Sequence, residues 1–306
     1  MEDCRAAAPY RAAEEEKEIE FCDAGGFGYK DKCMAGFLEI APSGYGRLYS
    51  EYSGQEPAVP ERLIREYDLR EGDLVSGYVS DEEPPRVVRI AAVNGYPPAV
   101  SGRRRFEDFP AAFPNERFVL GKNVAVLRAA DLLCPVGKGQ RLLVAAPAGT
   151  GKTTFLREAA RSIAAAGDTE LLCVLIDQRP EESSELREAV PQASVVDAPF
   201  DSTPARRVRA AHLALERAKR LAESGKDAAL FLDSLTALVR ALADRAQAGS
   251  EQAAIAEAKK FFAAARRLEG GGSLTILATA AVGADPFESE ICGEFSAAAN
   301  AVVFLS

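Results

Sequence analysis

From residue 136 onward, short apolar runs alternate with stretches of helical period. Leu142–Ala146, Leu171–Ile176, Ser194–Val196, Ala228–Leu232, Leu274–Ala278 and Ala301–Leu305 are apolar runs, the pattern of strands buried on both faces. Phe155 to Ala166 reads as a helix closed by Gly167, and Thr203 stands where it can cap a helix beginning at Pro204. Along that helix Val208, Ala211, Leu215, Ala218 and Ala222 share one face. Ala253 to Leu268 reads as a further helix, alanine-rich and basic on one side. Strands alternating with helices predict an α/β domain with a mostly parallel sheet covered on both faces.

The upstream pattern is different. Phe37–Ile40, Tyr45–Tyr49, Asp73–Val79 and Arg86–Val93 read as short strands, separated by turn signals such as Pro42-Ser43-Gly44 and by a helix-like or turn-like piece from Pro60 to Tyr67. Residues 36–100 are therefore expected to form a small β-barrel, although an SH3-like barrel or a plain sheet would give the same pattern. Residues 101–135 read as a connector, with Pro110, Pro114 and the basic triplet Arg103-Arg104-Arg105. Residues 1–35 read as a weakly ordered leader: Glu14-Glu15-Glu16-Lys17-Glu18 is a solvated charge run and Gly25-Gly26-Phe27-Gly28 stops any continuation.

Composition narrows the functional classes. A chain of 306 residues can hold two domains. No apolar run reaches the ~18 residues that would span a bilayer, and Met1-Glu2-Asp3-Cys4 lacks the basic and apolar blocks of a secretory signal. A cytoplasmic protein without membrane contact is expected. The six cysteines are scattered and the one histidine, His212, falls inside a helical pattern, which argues against a zinc site. The formal net charge of −9 opposes indiscriminate nucleic-acid binding, which depends on Lys and Arg releasing counterions.

The chemistry concentrates after the run Leu142–Ala146. Ala146-Pro147-Ala148-Gly149-Thr150-Gly151-Lys152-Thr153-Thr154 joins a strand to a helix through a glycine-rich loop ending in Lys-Thr, the arrangement that wraps backbone N–H groups around nucleotide phosphates. Ala148, Gly149, Thr150, Gly151, Lys152, Thr153 and Thr154 are the candidate nucleotide-binding residues. Lys152 is expected to reach the β and γ phosphates of ATP, and the Thr153 hydroxyl to hold Mg²⁺. Ala146 stands where the strict pattern has its first glycine. Asp233 ends the run Ala228–Leu232 and is the candidate second metal residue, since ligands of open α/β sheets bind beyond the carboxyl ends of the strands. Asp177-Gln178-Arg179-Pro180-Glu181-Glu182 follows another strand end; Asp177, Glu181 and Glu182 are in reach of the same crevice, while Glu182 and Glu185 serve mainly the first turns of a helix, where acids suit its dipole.

These stretches together resemble the bacterial Rho transcription termination family, hexameric RNA-dependent ATPases and helicases with a RecA-type core. The resemblance is carried by Pro135-Val136-Gly137-Lys138-Gly139-Gln140-Arg141, the phosphate loop, Leu175 to Glu182, Phe200-Asp201, Leu232-Asp233-Ser234-Leu235-Thr236, Lys259 to Arg266 and Gly271 to Ile276. Upstream, Gly36-Phe37-Leu38-Glu39-Ile40, Gly44-Tyr45-Gly46 and Asp68-Leu69-Arg70-Glu71-Gly72-Asp73 resemble its oligonucleotide-binding barrel. The resemblance implies a RecA-type P-loop core at 136–306 preceded by an OB-type barrel at 36–100. It also implies ATP and Mg²⁺ as cofactors, single-stranded RNA as partner, a homo-oligomer or a ring with Rho-like subunits, and RNA polymerase as a further partner. Gln178, Arg179 and Glu181 become the candidate catalytic residues, and Tyr45, Arg47, Arg103, Arg104 and Arg105 the candidate RNA contacts.

Several positions depart from the family pattern. Gln178 stands where Rho proteins have the glutamate that polarises water, and Ala237 where they have an arginine after the metal-binding strand. Ala241 to Ala258 lacks the glycine-rich, lysine-bearing loop of the family, residues 279–294 contain no lysine, and no Lys or Arg follows Arg267. Rho polypeptides continue past the point matching Ser306, and the continuation supplies an arginine finger. In the barrel, Arg47 and Val87 replace expected aromatic rings, and residues 36–100 carry 11 acidic and 6 basic side chains. Weakened turnover and weak or altered RNA binding are thus expected. The alternative is a non-catalytic nucleotide-binding regulator or partner of full-length Rho.

Overall fold

The computed structural model describes residues 32–41, 43–49, 56–80, 82–98, 102–121, 124–245, 251–283 and 285–306, in two compact units divided between Gly102 and Arg103. The leader expected at 1–35 lies outside the described residues up to position 31. The first strand already begins at Lys32.

In the first unit, β1 (Lys32–Ile40) pairs antiparallel with β2 (Gly46–Tyr49) and with β4 (Leu74–Val79). The outer strands are β3 (Ala58–Val59), beside β2, and β5 (Val87–Val93), beside β4, so the order is β3-β2-β1-β4-β5. A parallel bridge between Ala58 and Arg86 brings the two edges together, and the sheet curls into an OB-like barrel. The short α1 (Glu61–Glu66) follows β3. Leu38, Leu48, Val59, Val75, Val87 and Ile90 fill the interior. Gly36 is needed for close approach, because a Cβ there would stand 2.8 Å from the Tyr49 carbonyl oxygen. β3 has no signal in the sequence: two residues are too few to show a period.

In the second unit six strands run parallel in the order β13-β7-β12-β10-β8-β9. They are β7 (Arg141–Ala146), β8 (Thr169–Ile176), β9 (Ser194–Ala198), β10 (Asp227–Asp233), β12 (Ser273–Ala281) and β13 (Ala301–Phe304). Helices α2 (Ala125–Leu133), α3 (Lys152–Ala164) and α4 (Pro180–Ala189) cover one face. The other is covered by α5 (Pro204–Glu223), α6 (Leu235–Arg245), α7 (Glu251–Phe262) and α8 (Pro286–Ala298). Leu171, Cys173 and Leu175 of β8 point into the first layer, Leu172, Val174 and Ile176 into the second. Two buried faces are the reason the strand reads as an unbroken apolar run. Burial pushes the Cys173 thiol up to about 12, as suits a small apolar filler.

Two expectations change. The helix expected over Ala253–Leu268 ends at Phe262, and Arg266–Leu268 form β11, antiparallel to β12. The glycine run 270–272 turns the chain back on itself, and sheet pairing overrides the local helical composition. Residues 103–135 are integral to the second unit rather than a free connector. Phe106 is fully buried in its core with the Arg266 guanidinium 4.8 Å from the ring centre, and β6 (Ala111–Ala112) pairs with β11.

Lys138, in the turn before β7, is buried and gathers three carboxylates: Glu116 at 2.6 Å, Asp168 at 2.8 Å and Asp227 at 3.0 Å. Burial works against its charge, but the three hydrogen bonds outweigh that and hold the ammonium above its usual pKa. The bond that Lys138 donates to Asp168 in turn holds that carboxyl below the usual carboxylate range. Lys138→Met is expected to cost about 2 kcal/mol at neutral pH, less than a fully buried pair because Glu116 and Asp168 are half exposed. Asp168's depressed pKa stabilises the fold above its unfolded value and ceases to do so as pH falls. The deficit of the variant should therefore shrink below about pH 4, measured by urea unfolding across that range.

Candidate functional site

The site forms at the carboxyl edge of the parallel sheet. Ala146, the last residue of β7, is buried and paired with Ala281 in extended strand geometry, so a methyl group is accommodated there without strain. The chain then turns through Pro147–Gly151. Gly151 has φ +91° and a Cβ there would meet open space, so it is the backbone angle that demands glycine. Thr150 Oγ1 donates to the Pro147 carbonyl at 2.8 Å and closes the loop. Intrahelical bonding of α3 starts with the Phe155 N–H to Gly151 O at 2.8 Å. The amides of Lys152, Thr153 and Thr154 precede that bond and form the positive end of the helix. Lys152 Nζ donates to the carbonyls of Ala146 at 2.9 Å and Pro147 at 2.7 Å, across the loop. Burial lowers its pKa, opposed by the charges of Asp233 and Glu288.

Asp233 closes β10 and is 3% exposed. Its Oδ2 accepts from Thr153 Oγ1 at 2.7 Å and its Oδ1 from Thr279 Oγ1 at 2.6 Å. Burial pushes its carboxyl up, and the Thr279 and Thr153 hydroxyls and the Lys152 ammonium oppose that rise. Thr279 is absent from the residues anticipated above. Its strand, β12, stands between β7 and β10, so its hydroxyl faces the acid that meets the phosphate-loop helix. Thr279 is one of three buried hydroxyl residues in β12, with Ser273 and Thr275, and the signal available was only that a buried hydroxyl must find a partner. Thr236 of α6 ties the same edge by accepting the Ala281 N–H at 2.9 Å.

The segment after β8 is arranged differently from expectation. Glu181 is exposed, whereas Glu182 is half-buried and shares a cleft with Thr153 and Asp233. One Glu182 carboxylate oxygen is buried without a hydrogen-bond partner. Burial raises its pKa first, and the Asp233 charge adds to that. Glu185 pairs with Arg157 of α3. Asp177 is in the left-handed region, with φ +60°, and pairs with Arg207 rather than facing the loop. Gln178 is half-buried, and Arg179 is exposed at the N-terminus of α4. Arg240 is paired with Asp285 at 3.0 Å and Glu288 at 2.8 Å.

A fixed anionic group fits this edge. Backbone amides, an ammonium held only by carbonyls, and a glycine-lined loop form a cradle for phosphates. Thr153 Oγ1, Asp233 and the orphaned Glu182 oxygen are hard donors that suit a small divalent cation with water and phosphate oxygens completing its shell. Among the described residues no group of three His, Cys, Asp or Glu could hold a metal unaided, and no helix is long and apolar enough to cross a membrane.

Of the residues singled out for RNA, Tyr45 and Arg47 are both exposed in the barrel, with Arg47 opposite Glu39 in the strand register. Val87 points into the barrel core and offers no surface at all. Arg103, Arg104 and Arg105 belong to the second unit. The Arg104 guanidinium donates to the Asp108 carbonyl at 2.6 Å and lies 4.2 Å from the centre of the Phe109 ring, so it is engaged locally; Arg105 is exposed.

Comparison with known proteins agrees with this division. Residues 126–306 match the nucleotide-binding domain of the ATP synthase alpha/beta family, and residues 34–99 match the RNA-binding domain of Rho termination factor. Transcription termination factor Rho of Streptomyces coelicolor is 42% identical over 81% of this chain and 62% of its own length. The Thermotoga maritima protein of the same name is 38% identical over 89% and 68%, and that of Bacillus subtilis 40% over 81% and 62%. The chain thus spans 62% to 68% of the length of these relatives. Among solved structures, an ATPase of a bacterial type III secretion system superposes with a TM-score of 0.56 at 21% identity, covering 72% of this chain and 66% of that one. An ATP synthase subunit from Nanoarcheaum equitans superposes with 0.57 at 18% identity, covering 70% and 57%. Both share the α/β P-loop ATPase fold.

Proposed function

The chain belongs to the Rho transcription termination factor family, and on that premise we propose that it is a cytoplasmic, Rho-like termination protein that binds ATP with Mg²⁺ and couples it to single-stranded RNA. The observation that carries the reading is the meeting of Thr153 with Asp233 beneath the phosphate loop. Lys152 and the amides of residues 149–154 hold the phosphates; Thr153 and Asp233 hold the metal shell. When bound, Mg²⁺ supplies charge neutralisation at the phosphates. Gln178 orients water, Arg179 lies beside it, and Glu182 offers a carboxylate in the same cleft where Glu181 does not. Oligomerisation with itself or with other Rho-like subunits, and contact with RNA polymerase, belong to the same proposal. ATP hydrolysis measured with and without single-stranded RNA tests it. RNA-stimulated turnover is expected, and nucleotide binding without any turnover overturns the coupled reading.

Gln178 favours a second reading, a nucleotide-binding regulator that joins rings of full-length Rho. An amide orients water but takes no proton from it, and losing a general base lowers rates by about 10²–10⁴. Inhibition of full-length Rho by substoichiometric amounts of this chain would select the regulator.

For RNA, exposed Tyr45 is the candidate stacking ring of the barrel. Tyr45→Ala is expected to weaken binding of a short oligonucleotide about tenfold in fluorescence anisotropy, the effect of losing one stacked base. Arg104→Ala should change it less than twofold, since Arg104 is spent on Asp108 and Phe109.

A further inference from the structure

Asp177 is one of only a few non-glycine residues among those described whose φ is positive, at +60°. This conformation crowds a Cβ and persists only where surrounding contacts hold it. The contacts are visible. Its N–H donates to the Ala198 carbonyl at 3.1 Å, tying the end of β8 to the end of β9. Its carboxylate lies 2.8 Å from the Arg207 guanidinium, and both side chains are half-buried. The same guanidinium donates to the Phe200 carbonyl at 2.6 Å, in the loop between β9 and α5. Arg207 sits in the first turns of α5, whose start is set by Pro204 and by Thr203, which accepts the Arg206 N–H. One cation on a long, well-packed helix therefore clasps the exits of two neighbouring strands, through a hydrogen bond to the Phe200 carbonyl and a charge pairing with Asp177 in which Nε and Oδ1 are close but not aligned as a hydrogen bond.

We propose that Arg207 is a positioning residue, holding Asp177 in its left-handed turn and so setting the direction in which Gln178 and the first turn of α4 leave the sheet. The residues it governs come next in the chain: Gln178 immediately follows Asp177, Arg179 precedes α4, and Glu182 lies one turn further on, in the cleft with Thr153 and Asp233. Without the clasp Asp177 relaxes to a negative φ, and the peptide linking it to Gln178 swings away. The inference rests on the proposed hydrolytic reading only for its effect on turnover. The structural effect is independent of it.

The test uses the full chain as Arg207→Met, which keeps the stem of the side chain, alone and with Asp177→Gly, because glycine adopts the left-handed angle without a clasp. Amide exchange of the ligand-free protein is followed by mass spectrometry. In Arg207→Met the segment 176–183 should exchange at least ~10-fold faster while β7, β10 and β12 keep their protection, since local opening is separable from global unfolding. ATP turnover should fall about tenfold with ATP–Mg affinity unchanged in calorimetry, and Asp177→Gly in the same chain should bring both back to within about threefold. Arg207→Lys should fall in between, since a point charge replaces the planar fork. Unaltered exchange over 176–183 in Arg207→Met, or a double variant no better than the single one, overturns the proposal. Absence of turnover in the unaltered chain removes the hydrolytic reading alone, and the exchange comparison then decides on Arg207.

Discussion

Gln178→Glu raises ATP turnover about 10²-fold or more, with ATP–Mg affinity changed by less than threefold. Gln178 is half-buried, and a carboxylate of nearly the same shape fits its place. The exchange adds proton-accepting capacity where the Rho family carries a glutamate, and a positioned general base contributes about 10²–10⁴ in rate. Steady-state ATP hydrolysis by the two proteins, compared at saturating ATP–Mg, reads the change. A variant as slow as the unaltered chain, with ATP still bound, would show that water activation does not limit this protein and would strengthen the regulator reading.

Lys152→Ala lowers ATP–Mg affinity by about 100-fold, roughly 3 kcal/mol, the scale of losing one charge-assisted contact to a polyphosphate in a partly buried site. Stability should hardly move, because the ammonium bonds only to the Ala146 and Pro147 carbonyls of its own loop. Calorimetric titration of ATP–Mg against both proteins, with thermal melting as the fold control, separates the two effects. Equal heats of binding from both would remove nucleotide binding at this loop and every role assigned to Thr153 and Asp233 with it.

Legibility in the sequence followed local constraint. The glycine-rich loop was readable because a phosphate cradle needs a particular backbone, and Gly149, Gly151, Lys152 and Thr153 advertise it. The inner strands of the parallel sheet were readable because burial on both faces leaves mostly apolar runs, broken only by residues such as Asp233, Thr275 and Thr279. Thr153 and Asp233 were each visible, though 80 residues apart, since each stands at a strand or helix end of recognisable type. Of the adjacent acids, Glu181 is the candidate in the sequence and Glu182 reads mainly as a helix first-turn residue. Only the rotation of α4 turned Glu182 into the cleft and left Glu181 in solvent. The basic triplet looked uniform, yet of its two exposed members Arg104 bonds to the carbonyl of its own turn.

By itself the sequence determined the two-part architecture, the order of the parallel strands along the chain and the glycine-rich loop between strand and helix, because each of these is written in short-range periodicity and in residues with special backbone freedom. Tertiary structure alone decided that Thr279 supports Asp233, that Arg207 clasps Asp177, that Lys138 gathers three acids and that residues 266–268 join the sheet. Those outcomes depend on which strands become neighbours, and sheet order is settled by packing between segments far apart in the chain, not by anything local to them.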